Sequence, residues 1–158
     1  GTANYQQLGY IIYQYSGDGV ADIQQFARRL LVNILLANGD AHLKNWSLIY
    51  SDGITPRLAP AYDIVTTAAY MEGETTFALK LAKNKQWYQA SLEHFRYRAN
   101  KSGVSWSVIE PHLTDTLDKA RTLWPTELTA LPMDEAHKHI LKTHWFQLHP
   151  DFRVCRNY

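Results

Sequence analysis

Asn38-Gly39-Asp40-Ala41-His42-Leu43-Lys44-Asn45 is the stretch on which the reading of this 158-residue chain turns. It gathers Asn38, Asp40, His42, Lys44 and Asn45 into one polar segment between apolar neighbours. On its N-terminal side the sequence predicts a helix. Asp22 and Gln25 read as a capping pair, and Ile23, Phe26, Leu30, Leu31, Ile34 and Leu35 form a broad apolar face, so this helix is expected to be buried. Asn38-Gly39 then supplies residues that tolerate the left-handed conformation at a helix end. On the C-terminal side, Trp46 to Tyr50 and Arg57 to Ala59 read as short strands joined across Ser51-Asp52-Gly53, a sequence suited to a hairpin turn. Pro60 ends the second run, and the hairpin delivers Ala59-Pro60-Ala61-Tyr62-Asp63.

Further out, Tyr5, Leu8, Ile11, Ile12 and Tyr15 fall at helical spacing, broken by Ser16-Gly17-Asp18-Gly19. Ala61 to Met71 reads as a helix or an irregular turn, and Thr75 to Leu81 as extended chain. Three more helices are expected over Trp87 to Ala99, Trp106 to Leu123 and Met133 to Leu148. Pro111 sits near the start of the second of these, as an early-turn residue or a kink. With no repeat and no low-complexity linker, the expectation is one mainly α domain over 1–158 with a small β-hairpin.

Composition sets outer bounds. The 46% hydrophobic and 13% aromatic content is enough for a core, so wholesale disorder is not expected. Sixteen Lys and Arg against fifteen Asp and Glu lack the basic excess of a dedicated nucleic-acid binder, so no direct nucleic-acid binding is expected. The lone Cys155 excludes an internal disulfide and a Cys-based zinc site. The longest apolar run, Leu30 to Ala37, is interrupted by Asn33 and falls short of a membrane span. No signal-peptide pattern is read, and a cytoplasmic protein away from membranes is the expectation. Opening on Gly1-Thr2 without Met, the chain is expected to be a piece of a longer protein. Charge is uneven: Lys80, Lys83, Lys85, Arg96, Arg98 and Lys101 face a single acid, Glu93, within 80–101. A solvated helix face is preferred there over a contact with an acidic partner.

The chemistry rests on two segments. Asp40 and Asn45 stand five apart, the spacing of the kinase catalytic loop, in which the Asp orients the acceptor hydroxyl and the Asn binds a metal ion. A second carboxylate beyond a hairpin suits phosphoryl transfer, because magnesium neutralises phosphate charge only when hard oxygen ligands hold it. Asp63 and Asn45 are the candidate ligands. That leaves Asp40 to accept a hydrogen bond from the attacking hydroxyl, with His42 and Lys44 near the phosphates.

In these segments the chain resembles the HipA-type toxin kinases. The resemblance is carried by Gly39-Asp40-Ala41-His42-Leu43-Lys44-Asn45 and Leu58-Ala59-Pro60-Ala61-Tyr62-Asp63. Phe26 to Asn38 and Leu79-Lys80-Leu81-Ala82 add to it, and it weakens after about Ala99. It implies a protein-kinase-like α+β fold of which this chain is the C-terminal lobe. Asp40 would be the catalytic aspartate, with Asn45 and Asp63 the magnesium ligands. The implied activity is transfer of the ATP γ-phosphate to Ser or Thr of a protein, aminoacyl-tRNA synthetases being targets in the family. A HipB-type DNA-binding antitoxin and a role in persistence are implied too. His42 stands where many protein kinases have Lys, and Asp63 precedes Ile64-Val65 rather than Phe-Gly; both agree with the HipA pattern.

No glycine-rich phosphate loop and no strand-borne Lys precede Asp40, and 39 residues are too few for an ATP-gripping lobe. The chain by itself is therefore expected to have little or no kinase activity. Other readings stay open. The alternative for Asp40 and Asn45 is a helix-ending turn in which both cap backbone amides, less favoured because Asp63 fits the same catalytic scheme independently. His42 would serve as a structural hydrogen-bonding group, and Lys44 as a solvated loop lysine. At the level of the whole chain, the rivals are a small-molecule or lipid phosphotransferase and a non-catalytic partner-binding lobe. His137, His139, His144 and His149 show no ligand spacing with a supporting carboxylate, so they read as solvated or capping residues. Trp106, Trp124 and Trp145 read as core.

Overall fold

The computed structural model describes residues 5–37, 48–59, 76–81 and 84–155. Helix α1 spans Tyr5–Tyr15 and α2 spans Gly19–Leu35. Strands β1 (Leu48–Ile49) and β2 (Arg57–Leu58) pair antiparallel, with Leu48 opposite Leu58 and Ile49 opposite Arg57. A second antiparallel pair joins β3 (Thr76–Leu81) to β4 (Asn84–Gln86). After a 3-10 turn at Trp87–Gln89 come α3 (Leu92–Lys101), α4 (Trp106–Ala130) and α5 (Glu135–Gln147). The mainly α architecture is as the sequence predicts, with two small hairpins where one was expected. The expected helix or turn over 61–71 lies outside the described residues.

α2 is the central element, lying against both α1 and α4. Its apolar stripe is as the periodicity requires, with Leu31, Ile34 and Leu35 fully buried. Its start differs from expectation. The N-cap is Asp18, whose carboxylate accepts from the Ala21 amide at 3.0 Å. Asp22 is not a capping residue: it is buried, and Arg57 holds it through two 3.0 Å hydrogen bonds. The Leu58 amide (2.7 Å) and the Ser16 hydroxyl also donate to it. A carboxylate taken out of water requires such partners, and their consequence is that β2 is fixed to the first turn of α2.

The tip of the first hairpin is wider than a tight turn. Asp52 Oδ1 accepts from the Ile54 and Thr55 amides, and these bonds, Thr55 foremost, hold its pKa down to about 2. Gly17 donates to the Pro56 carbonyl at 2.7 Å, and a Cβ there would lie 2.0 Å from Thr55 Cγ2. A larger residue at 17 would have to push the Thr55 methyl aside to keep that approach between the loop tip and the α1–α2 corner.

Helix boundaries after β4 also move. The expected Trp87–Ala99 helix resolves into the 3-10 turn and α3, which restarts at Ser91. There the Ser91 amide donates to His94 Nδ1 (3.3 Å) and the Leu92 amide to Asp151 Oδ2 (3.0 Å). α4 continues past the expected Leu123 and through Pro125 to Ala130. Proline lacks one backbone donor, but buried Leu128 and a 3.1 Å bond from Lys138 Nζ to the Thr129 carbonyl hold the last turns in place. α5 starts at Glu135 on its cap Asp134, two residues beyond the expected Met133.

Candidate active site

Asp40, His42, Lys44, Asn45 and Asp63 all lie outside the described residues. The structure describes the chain that enters and leaves those two segments, and both approaches are held by side chains.

The first approach is the C-terminus of α2. The last four carbonyls of an α-helix have no partner within it. Here His144 Nε2 lies 2.6 Å from the Ile34 carbonyl, and Trp145 Nε1 donates to the Leu35 carbonyl at 2.7 Å. Both side chains come from α5 and both are buried, at 2% and 1% exposure. A carbonyl only accepts, so His144 carries its proton on Nε2, and Nδ1, 3.2 Å away, accepts from the Tyr88 hydroxyl. Burial drives the His144 pKa down to about 4, partly opposed by the Ile34 carbonyl, so the ring is neutral near pH 7. Ala37, the last described residue after α2, is left-handed (φ +52°); Asn38-Gly39, expected to supply that conformation, lie outside the described residues. Trp145 is core, as expected; His144, expected to be solvated or capping, is buried and caps α2 instead of its own helix.

The second approach is β2. Leu58 is bound to Asp22 in the first turn of α2, and the next carbonyl, Ala59, accepts from Arg29 Nη1 two turns further along that helix. Both bonds tie the end of β2 to α2 just ahead of the segment that contains Asp63. Burial pushes the Asp22 carboxyl up, but hydrogen bonds donated by Arg57, Ser16 and the Leu58 amide outweigh it and keep it below the ordinary range. Arg29 is pulled down by burial and pushed back up by Asp22.

Asp22, Arg29, Arg57, His144 and Trp145 form the support that sequence reasoning missed. A buried-face position carrying Asp at 22 was the available signal; the pairs spanning 110 residues left none.

Of the basic stretch, Arg96 and Lys101 are exposed as a solvated face requires, with Lys101 Nζ 5.6 Å from the Tyr97 ring centre, whereas Arg98 is half-buried; the side chains of Lys80, Lys83 and Lys85 lie outside the described residues. Among the described residues no group of three His, Cys, Asp or Glu could hold a metal, and no helix is long and apolar enough to cross a membrane.

The comparisons with known proteins agree on one lineage. Residues 1–124 match the model of the HipA-like C-terminal domain. The chain belongs to the HipA-like C-terminal domain family. A relative from Sinorhizobium fredii named "Putative kinase Y4dM" is 37% identical over 141 residues, covering 89% of this chain and 34% of the relative. One from Haemophilus influenzae, named "Putative kinase", is 35% identical over 85 residues, covering 52% of this chain and 25% of the relative. The chain thus spans about a third or less of these relatives. Among solved structures, HipA in a Shewanella oneidensis complex of HipA, HipB and operator DNA superposes with a TM-score of 0.71. It is 19% identical, and the match covers 92% of this chain and 34% of that one. The fold is therefore that of a HipA-like C-terminal lobe.

Proposed function

We propose that this HipA-like domain is the catalytic lobe of a serine/threonine protein kinase, with Asp40 as the catalytic aspartate. One observation carries the reading: the 1–124 match to the HipA-like C-terminal domain takes in both motifs, and with them Asp40, Asn45 and Asp63.

Asp40 accepts the hydrogen bond of a protein Ser or Thr hydroxyl and takes up its proton. As the bond from that oxygen to the γ-phosphorus forms, the bond from phosphorus to the bridging oxygen breaks, and ADP leaves. Asp63 and the Asn45 amide oxygen are hard donors of the kind magnesium prefers, and they would hold it. When bound, magnesium supplies charge neutralisation on the phosphates. Lys44 and His42 contact phosphate oxygens. Positioning supplies most of the acceleration in such transfers, which gives the buried supports their purpose. An upstream nucleotide-gripping lobe completes the site, and a HipB-like DNA-binding antitoxin is the proposed partner, in the cytoplasm.

The test is phosphate transfer by the full-length protein to candidate acceptors, read by mass spectrometry. A Ser or Thr phosphopeptide is expected from a protein acceptor such as an aminoacyl-tRNA synthetase. Asp40→Asn should lower the rate by at least about 100-fold. The 158-residue chain alone should show little transfer. Undiminished activity in Asp40→Asn, or transfer only to a small molecule or lipid, would sink the proposal.

A further inference from the structure

His144 and Trp145 are consecutive, yet both turn inward and give their ring N–H groups to consecutive carbonyls, Ile34 and Leu35, at the end of α2. Two bonds from one rigid helix to another fix a helix end in rotation as well as in position. Each donor is itself held: Tyr88 sits 3.2 Å from the far nitrogen of His144, and Trp124 lies 6.1 Å from the Trp145 ring at a 37° tilt. Three residues after Leu35 comes the segment 38–45. The contributing helix, α5, begins at Glu135, beyond the 1–124 region that matches the family model. Neither residue belongs to the two motifs assigned to catalysis.

We infer that His144 and Trp145 are positioning residues, which set through the Ile34 and Leu35 carbonyls the point and direction from which Asp40 is presented. This rests on the kinase reading above. Neither touches a reacting atom; they act through α2. A displacement of about 1 Å in a reacting group costs on the order of 100-fold in rate, so a helix end released from two bonds has a catalytic consequence out of proportion to its stability cost.

The experiment compares Trp145→Phe, His144→Leu and His144→Gln with Asp40→Asn in the full-length protein, at a temperature where each is folded. Trp145→Phe keeps an aromatic ring while deleting the donor together with part of the indole, and His144→Leu deletes the neighbouring donor independently. His144→Gln retains an amide N–H for Ile34 and an oxygen for Tyr88. Trp145→Phe and His144→Leu are expected to lower kcat about tenfold while KM for ATP changes less than about twofold, with His144→Gln recovering most of the loss. Hydrogen exchange at the end of α2, over 31–37, should quicken in the two impaired variants while 109–120 of α4 stays protected. An unchanged kcat in folded Trp145→Phe and His144→Leu, alongside an inactive Asp40→Asn, overturns the positioning role. Transfer that survives Asp40→Asn instead overturns the kinase reading, and this role with it.

Discussion

Two helices of this lobe end in the same local geometry by different means. α3 closes on itself: Val104 donates to the Ala99 carbonyl at 2.9 Å, Gly103 to Asn100 at 3.2 Å, and Gly103 takes φ +75°. That is a Schellman ending, built from local backbone and the residue type that best tolerates it. α2 makes the corresponding bond, Ala37 to Ile34 at 3.2 Å, with φ +52° at an alanine that is fully buried. An L side chain in that region costs about 1–2 kcal/mol, so something beyond local preference keeps it there. His144 and Trp145 reach across from α5 to the last two carbonyls of that helix. The self-sufficient ending leads to a surface turn; the ending held from outside leads to the segment with the proposed chemistry.

The largest effect expected from breaking this contrast is at Trp145. Trp145→Ala opens a cavity beneath α2 and should cost about 3–5 kcal/mol, measured by urea unfolding. Trp145→Phe, which deletes the donor and strands a buried carbonyl, should cost about 1–2 kcal/mol. If the two variants cost the same, the hydrogen bond carries nearly the whole effect; if Trp145→Phe costs nothing, the Leu35 carbonyl finds another donor.

Acid offers a second way to separate the two endings. The folded pKa of His144 lies near 4, below its ordinary 6.5, so between those values the unfolded chain binds the extra proton. Stability from this group is complete above about pH 6.5 and falls as pH drops toward 4. The loss approaches roughly 3 kcal/mol. The Tyr88 hydroxyl and the Ile34 carbonyl of α2 lie against it. His112, lowered by burial and by Arg28, adds a smaller slope of the same sign, and Asp22 adds one at still lower pH. Unfolding free energies from pH 7.5 to 4 for the native chain and His144→Gln isolate the His144 share. A native curve as flat as that of the variant would show that His144 is not the group responsible.

How much of this was legible follows from range. α1 and α2 were readable because their apolar residues repeat locally, and β3 because its residues favour extended chain. Leu128 buries the extension of α4 past Pro125, an influence from the tertiary structure that a local reading of proline misses. Asp22 looked like a cap because Gln25 stands three residues on; its partner Arg57 is 35 residues away and carries no local mark. The proposed catalytic segments were legible as motifs through Asp40, Asn45 and Asp63. Their supports were not. Arg29 reads as one more polar helix residue until Ala59 is seen to need a donor, and His144 was one of several histidines near the C-terminus.

The smallest effects refine the comparison most finely. Gly103→Ala has open space for its methyl group but must adopt a left-handed φ, so it should destabilise by about 1–2 kcal/mol, equally at pH 7 and pH 5 because no titratable group closes α3. Ala37→Gly is the reverse substitution and should not give the reverse result. Relief of the left-handed strain gains about 1 kcal/mol. Loss of a buried methyl removes about 0.8 kcal/mol, and the freer unfolded chain costs a further 0.5–1 kcal/mol or so. The net change should lie within about 1 kcal/mol of zero, on the destabilising side. Calorimetric melting of the two variants decides the matter. A clear gain in Ala37→Gly would mean that α5 holds α2 in a strained ending by force of its two hydrogen bonds. A loss as large as that of Gly103→Ala would mean that the buried methyl, not the bonds, dictates where α2 stops.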